Sequence, residues 1–388
     1  MSSTLRKLKS LVLSQTTDTD QLASLLETVS VPLHIGDCRS CSDPCTEGHE
    51  DLNFDRDMET QMPGTVKPYI RQIVISTGQT DWEKEVTEVE GTLAAMVDGL
   101  FKSSKPSLAR ATDAAAGKLQ YSVPGVFTQQ DSTRVSILNG SHTTASEHPD
   151  RETVLVFPEY RVVFGVESAP KAAELLYEKV VSPSTTYIPT IPEENEAGEL
   201  PFGILPIPYS CVILLCSHKR RDKRCSIAAP LLEHEFIHSL QKRSWKVDTN
   251  VDHDHLHDVI PPSRPPTAEP PEQTSESDNG EEDEEEDEGS GVSKAKGPAP
   301  FPGGLSPRTL WNLKRVLITK TSHVGGHKFS GNVIICTPAG QSIWYGRVTP
   351  HEVDAIVEQT IVQGKIIPSL FRAGLNVSRP GCLSLHDW

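Results

Sequence analysis

Apolar positions along the chain fall into two series of short strands and helices, each bounded by polar, Pro- and Gly-rich stretches. In the first series, Ile70–Ser76 reads as a strand, and Thr80-Asp81-Trp82-Glu83 offers an N-terminal cap for a helix through about Phe101. Val135–Leu138, Val154–Phe157 and Arg161–Val166 are further strand runs, and residues 170–178 read as a short helix. A Pro-rich connector covers residues 179–209. The second series opens on Cys211-Val-Ile-Leu-Leu-Cys216, an unbroken apolar run that suits a strand buried on both faces. From Ser226 to about Lys242 the apolar residues Leu232, Phe236 and Leu240 recur at helical spacing. Beyond Leu310 come strands at Arg315–Thr319, Asn332–Cys336 and Ser342–Val348. Thr349-Pro350-His351-Glu352 is then a capping box with Pro at the first helical position, opening a helix to about Val362.

These elements define an α/β protein. Residues 1–30 form an N-terminal tail, with a short helix and a linker; residues 31–200 hold a Cys-rich loop and a first α/β domain. Residues 201–388 form a second domain. Its order of strand, helix, insertion, strand, two-stranded hairpin and helix resembles the thioredoxin-like layout. Residues 247–308 cannot bury enough apolar area to offset chain entropy and are expected to be a disordered acidic insertion. The alternating His and Asp residues of Asp252–Asp258 read as part of that solvated stretch.

Charge narrows the function classes. The net charge is -16, but residues 269–288 alone hold twelve acids and no base, which leaves -4 for the rest. No basic face remains for a general nucleic-acid binder. No run of eighteen apolar residues exists to span a membrane. Arg6, Lys7 and Lys9, without an acid before Asp18, read as a short basic start in preference to a mitochondrial presequence. With no secretory signal in view, the eight cysteines are expected to be metal ligands or buried thiols.

The chemistry concentrates in two segments. Cys216 and Cys225 flank a loop carrying Lys219, Arg220, Arg221, Lys223 and Arg224 against Asp222, and His323 and His327 flank Gly325-Gly326. Two thiolates and two imidazoles can complete a four-ligand set, either for a structural zinc ion or for an iron–sulfur cluster with mixed ligation. The plainer alternative is a buried strand thiol and a histidine-capped turn. The basic loop is expected to lower the cysteine pKa values and to present a positive rim to an acidic redox partner. A second candidate set, Cys38, Cys41, Cys45 and His49, has the composition of a Cys₃His zinc site or of a loop of reduced thiols. His234-Glu235-Phe236-Ile237-His238 matches HExxH, but its histidines lie off the apolar stripe and no third histidine extends the motif, so a metalloprotease is disfavoured.

Taken together, the Cys38–Glu50 region, Ile73–Trp82, Cys216-x₈-Cys225, Ser322-His-Val-Gly-Gly-His327 with Gly331–Ile335, and Trp344–Pro350 resemble the sucrase/ferredoxin-like family, fungal members of which are of the actin patches distal type. The resemblance implies a thioredoxin-like ferredoxin domain with a [2Fe–2S] cluster, Cys216 and Cys225 on one iron and His323 and His327 on the other. It also implies electron transfer or redox sensing in oxidative-stress and metal homeostasis, with a redox partner protein and no stand-alone enzymatic activity. No paired carboxylates support a sucrase reaction. The terminal Asp387-Trp388 resembles a tail that recruits the cytosolic iron–sulfur targeting complex, with His386 in place of the usual aliphatic residue. That tail favours a cytoplasmic over a mitochondrial location.

Overall fold

Each long apolar run becomes a strand. In the computed structural model, which describes residues 19–36, 52–104, 123–186, 188, 200–251 and 306–387, the strands are β1 Arg71–Ser76, β2 Val126–Phe127, β3 Val135–Gly140, β4 Arg151–Phe157, β5 Arg161–Glu167, β6 Gly203–Pro206, β7 Cys211–Cys216, β8 Lys246–Asp248, β9 Arg315–Thr321, β10 Val333–Cys336, β11 Ser342–Tyr345 and β12 Phe371–Leu375. The helices are α1 at 19–28, α2 Leu93–Ser103, α3 Pro170–Leu176, α4 Lys223–Lys242, α5 Pro307–Trp311 and α6 Pro350–Ala355. The protein is thus mixed α/β.

The strands form one mixed sheet in the order β2-β12-β11-β10-β7-β9-β3-β1-β4-β5-β6, with β8 also on β9. This order contains an internal repeat. In the first unit β1 and β3 are parallel across a crossover containing α2, β4 is antiparallel to β1, β5 to β4 and β6 to β5. In the second unit β7 and β9 are parallel across α4, β10 is antiparallel to β7, β11 to β10 and β12 to β11. Each unit places a helix after its hairpin, α3 or α6, and each of those helices widens into a π-helical turn, Tyr177–Val181 or Ile356–Val362. The units meet where β3 and β9 run antiparallel, with Gly140 opposite Thr321. These two residues are themselves equivalent, since Gly140 pairs with the last residue of β1 and Thr321 with the last residue of β7. The chain therefore has an approximate two-fold axis through that pair.

Helices cover one face of each unit. Ile73, Ile75, Val154 and Val156 pack with Leu93 and Val97 of α2 and with Leu176 of α3. Ile213, Leu215 and Ile335 pack with Leu232 and Phe236 of α4 and with Val353 of α6. Alternate strand residues, pointing the other way, join a core shared by both units, with Val74, Leu155 and Val162 from one and Val212, Leu214, Ile334 and Trp344 from the other. Trp344 Nε1 donates to the Tyr69 hydroxyl at 3.0 Å within it.

Three expected boundaries move. Helix α2 starts at Leu93, not near Trp82, because Thr92 caps it by accepting the Ala95 N–H at 3.2 Å. Trp82 is drawn off into the interior, where its Nε1 donates to Thr77 Oγ1 at 2.9 Å. The insertion expected over 247–308 is shortened at both ends, since β8 reaches Asp248 and pairs with β9, and Ser306 caps α5; residues 252–305 lie outside the described residues. Strands β2, β6, β8 and β12 were not expected.

Candidate metal centre

Cys216 closes β7, its N–H bonded to Asn332 O at 3.2 Å. Asp222 then caps α4 by accepting the Arg224 N–H at 2.9 Å, which starts the helix three residues earlier than the apolar stripe suggests. Cys225 therefore lies inside the first turn of α4, not just before the helix. His323 follows the end of β9 by two residues, and Gly325 and Gly326 turn the chain back at φ of 85° and 68°. The left-handed backbone at these two positions is why glycine occupies them.

This brings three of the four expected ligands together. A donor atom each of Cys216, Cys225 and His323 lies within 4.8 Å of the others, with Cys216 Sγ and His323 Nδ1 at 3.9 Å. His327 stands beside them, its ring centroid 5.6 Å from that of His323, but outside that mutual group. Both cysteines are buried, His323 is partly buried and His327 is exposed. The thiols thus face the interior and the imidazoles face water.

Two further residues act on the group. His218 is buried; its Nε2 donates to Trp82 O at 2.8 Å, so its Nδ1 is free to accept the His323 N–H at 3.2 Å. It links the first unit to the backbone of His323. Arg372, fully buried on β12, donates to Asn332 Oδ1 at 2.6 Å and to Gly325 O at 3.3 Å through Nη1, and to Thr65 Oγ1 at 3.3 Å through Nε. Neither was recognised from sequence, since both depend on contacts between distant segments.

The electrostatics differ from expectation. Cys216 is held below the ordinary thiol range, first by the hydrogen bond it receives from Cys225, against burial, and then by the N–H groups of Val324 and His218 and by the charge of Arg372. Cys225, as the donor of that bond and a buried group, is pushed far up. The loop of basic residues contributes little because it is already paired. Arg220 meets Asp81 and Glu83, Arg221 meets Glu85, and Arg224 meets Asp222. Only Lys219 and Lys223 of that loop are exposed without an ion pair among the described residues. The positive rim is largely covered by the Asp81–Glu85 segment, which follows β1 as the basic loop follows its counterpart β7.

The first unit carries a position-for-position contrast. Ser76 stands where Cys216 does and His142 where His323 does. With serine at the strand position and no cysteine in α2, that unit lacks the pair. Of the other candidates, Cys38, Cys41, Cys45 and His49 lie outside the described residues. His234 and His238 are exposed on α4, His238 facing Glu235 at 3.7 Å, and belong to no donor group found among the described residues. At the C-terminus the Asp387 carboxylate accepts the N–H groups of Leu383 and Ser384 at 2.7 and 2.8 Å; Trp388 lies outside the described residues. None of the described helices is long and apolar enough to cross a membrane.

Fold and site define a two-unit mixed α/β protein whose second unit holds a Cys/Cys/His donor group, the one such group among the described residues. The family model described as sucrase/ferredoxin-like matches residues 62–373, both units together, and the chain belongs to that family. Among curated proteins it is similar to several named "Altered inheritance of mitochondria protein 32". The one from Clavispora lusitaniae is 41% identical over 78 residues, 18% of this chain and 29% of the relative. That from Meyerozyma guilliermondii is 49% identical over 55 residues, 14% and 20%. That from Debaryomyces hansenii is 27% identical over 163 residues, 42% and 34%. The chain thus spans about a third or less of the length of these relatives. No solved structure matches it.

Proposed function

We propose that the protein binds a [2Fe–2S] cluster and carries or senses single electrons, as a redox carrier and not a stand-alone enzyme, in redox and metal homeostasis. The observation that carries this reading is the convergence of Cys216, Cys225 and His323, with His327 beside them, at one end of the second unit. The donor set fits: soft thiolates and imidazoles suit iron–sulfur ligation, and a mixed set raises the potential above that of an all-thiolate cluster. The second unit's strand order β9-β7-β10-β11, with α4 in the crossover and α6 after the hairpin, supports a thioredoxin-like ferredoxin domain.

In this reading Cys216 and Cys225 hold one iron and His323 and His327 the other. When bound, the cluster supplies one-electron chemistry. The chain's own contribution is to bury the two sulfurs, to fix the His323 backbone through His218, and to leave His327 open to water. An exposed imidazole ligand can bind a proton on its second nitrogen, which couples electron uptake to pH.

The partner is a one-electron donor or acceptor protein. Recruitment of the cytosolic iron–sulfur targeting complex through Asp387-Trp388 would require Asp387 to release the two N–H groups it now holds. We place the protein in the cytoplasm, with mitochondria as the alternative raised by the relatives' name; fractionation decides between them.

The test is an absorption and EPR spectrum of anaerobically purified protein with iron and sulfide counts. A brown protein with about two irons and a rhombic signal on reduction supports the cluster. A colourless protein that keeps zinc through chelator washing overturns it and makes the site a structural zinc module. His327→Cys should keep the cluster, lower its potential and remove its pH dependence; an unchanged potential refutes the bis-histidine assignment.

A further inference from the structure

Arg372 is buried with no carboxylate partner among the described residues. A charge taken out of water requires compensation. Its hydrogen-bond acceptors, Asn332 Oδ1, Gly325 O and Thr65 Oγ1, are neutral. Burial pushes the guanidinium down to about 10, and the charges that oppose this are those of Cys216 and Cys225. The guanidinium lies against Gly325 and Gly326, in the loop between His323 and His327, and the acidic groups that act on it are the thiol groups of Cys216 and Cys225.

The chain has two features that bring it there. The first is a β-bulge. Across β11 and β12, Tyr345 pairs with Phe371 and Trp344 with Ala373, so Arg372 is the extra residue between two paired ones. Across the equivalent strands of the first unit, Val163 pairs with Ile204 and Val162 with Leu205, consecutively and without an extra residue. The unit that lacks the two cysteines also lacks the bulge and the cation. Bulges re-aim side chains beside functional sites. The second feature is a passage made by missing side chains. A Cβ on Gly326 would stand 2.3 Å from Arg372 Nη2, and one on Gly346 would stand 2.6 Å from its Cδ. The passage leads to the loop between the two histidines.

We propose that Arg372 is the built-in counter-charge of the metal centre, a positioning residue that tightens metal retention by the thiolates and raises the reduction potential of the loaded site. The potential arm rests on the cluster reading; the retention arm does not. Two thiolates and two neutral imidazoles around two ferric ions and two sulfides sum to zero charge. One electron from an external one-electron donor leaves a single negative charge, with no bond made or broken. A fixed cation stabilises that added charge more than the neutral oxidised state.

The experiment uses the full-length protein as purified, with Arg372→Gln and Arg372→Lys beside the wild type. Iron, sulfide and zinc contents are counted, metal release to a chelator is timed, the potential is measured by dithionite titration, and thermal unfolding is recorded. Arg372→Gln should release metal roughly ten- to a hundred-fold faster than wild type; where the cluster is retained, it should have a lower potential. Arg372→Lys should recover most of both. If Arg372→Gln matches the wild type in release and potential, the proposal is overturned. It is also overturned if Lys fails wherever Gln fails, since the guanidinium would then act only through its hydrogen bonds to Asn332 and Gly325. A colourless wild-type protein containing zinc overturns the cluster reading alone, and the release comparison between Gln and Lys still decides the role of Arg372.

Discussion

Ser141 and Ser322 bind one another's strands. Ser141 Oγ accepts the Lys320 N–H, and Ser322 Oγ accepts the Asn139 N–H, each at 3.0 Å; the Ser141 N–H reaches Lys320 O and the Ser322 N–H reaches Asn139 O, each at 2.8 Å. The four bonds exchange under the approximate two-fold axis and join the two units beside Gly140 and Thr321. Removing either hydroxyl leaves one strand N–H without its partner, a loss of roughly 1–2 kcal/mol. Ser141→Ala and Ser322→Ala should therefore lower stability by similar amounts in urea unfolding. Only Ser322 precedes a proposed ligand, His323, so Ser322→Ala alone should speed metal release. Equal release from both variants would show that the joint, and not the His323 loop, controls the site.

The elements that were legible in the sequence are those whose signal is local. Cys211–Cys216 appears with its expected bounds, and the capping box at Thr349 forms, with Thr349 N–H bonded to Glu352 Oε2 at 2.7 Å. Cys216, Cys225 and His323 were found by residue type and spacing. What escaped is non-local. The internal repeat leaves only a Ser-His doublet, Ser141-His142 and Ser322-His323, as a visible trace, because strand order and register are kept by apolar alternation that many sequences satisfy. Arg372 lies in a short strand, and only the bulge against Tyr345 turns it inward. The helix expected from Thr80 failed because Trp82 gains more by burial against His218, at 5.8 Å between ring centroids, than by serving in a first turn.

His218 is expected to matter for metal retention more than for the fold. His218→Ala removes the acceptor of the His323 N–H and the donor to Trp82 O. Groups that orient ligands typically account for ten- to a hundred-fold in metal affinity, so release to a chelator should speed by roughly that factor. Trp82→Phe is the control. It keeps the backbone carbonyl that His218 uses but loses the bond to Thr77 Oγ1, so it should lower thermal stability with little change in release. Wild-type release from His218→Ala would remove His218 from the site's support.

Three glycines of the histidine loop should separate strain from collision. All have positive φ, at 85°, 68° and 92° for Gly325, Gly326 and Gly331, so alanine costs roughly 1–2 kcal/mol at each on conformation alone. A Cβ on Gly325 meets nothing, and Gly325→Ala should show only that cost. On Gly331 it would stand 2.1 Å from Val348 O, a backbone atom that cannot move without breaking the Val348 N–H bond to Gly331 O; Gly331→Ala should fold poorly or unfold at much lower temperature. On Gly326 it would meet the end of Arg372, a side chain that can shift. Gly326→Ala should therefore lose metal faster than its thermal unfolding predicts. Identical melting temperatures for the Gly325 and Gly331 variants would contradict this ranking.

His142 should make the protein acid-sensitive. It is fully buried after β3, its Nε2 has no hydrogen-bond partner among the described residues, and burial, opposed by the backbone of Thr153, lowers it from 6.5 to about 4. The unfolded chain then binds a proton between those values that the folded chain refuses. Stability from this residue is fully present above about pH 6.5 and is lost progressively as pH falls toward 4. At about pH 5 the loss relative to neutrality should be on the order of 2 kcal/mol. Glu152, raised by burial, works in the opposite sense over the carboxylate range, so the His142 contribution must be isolated by difference. His142→Gln removes the titrating group; urea unfolding of variant and wild type near pH 7 and pH 5 should show the wild type losing about 2 kcal/mol more than the variant. Equal losses would mean that His142 takes up its proton in the folded state, through an opening of the first unit that admits water to Nε2.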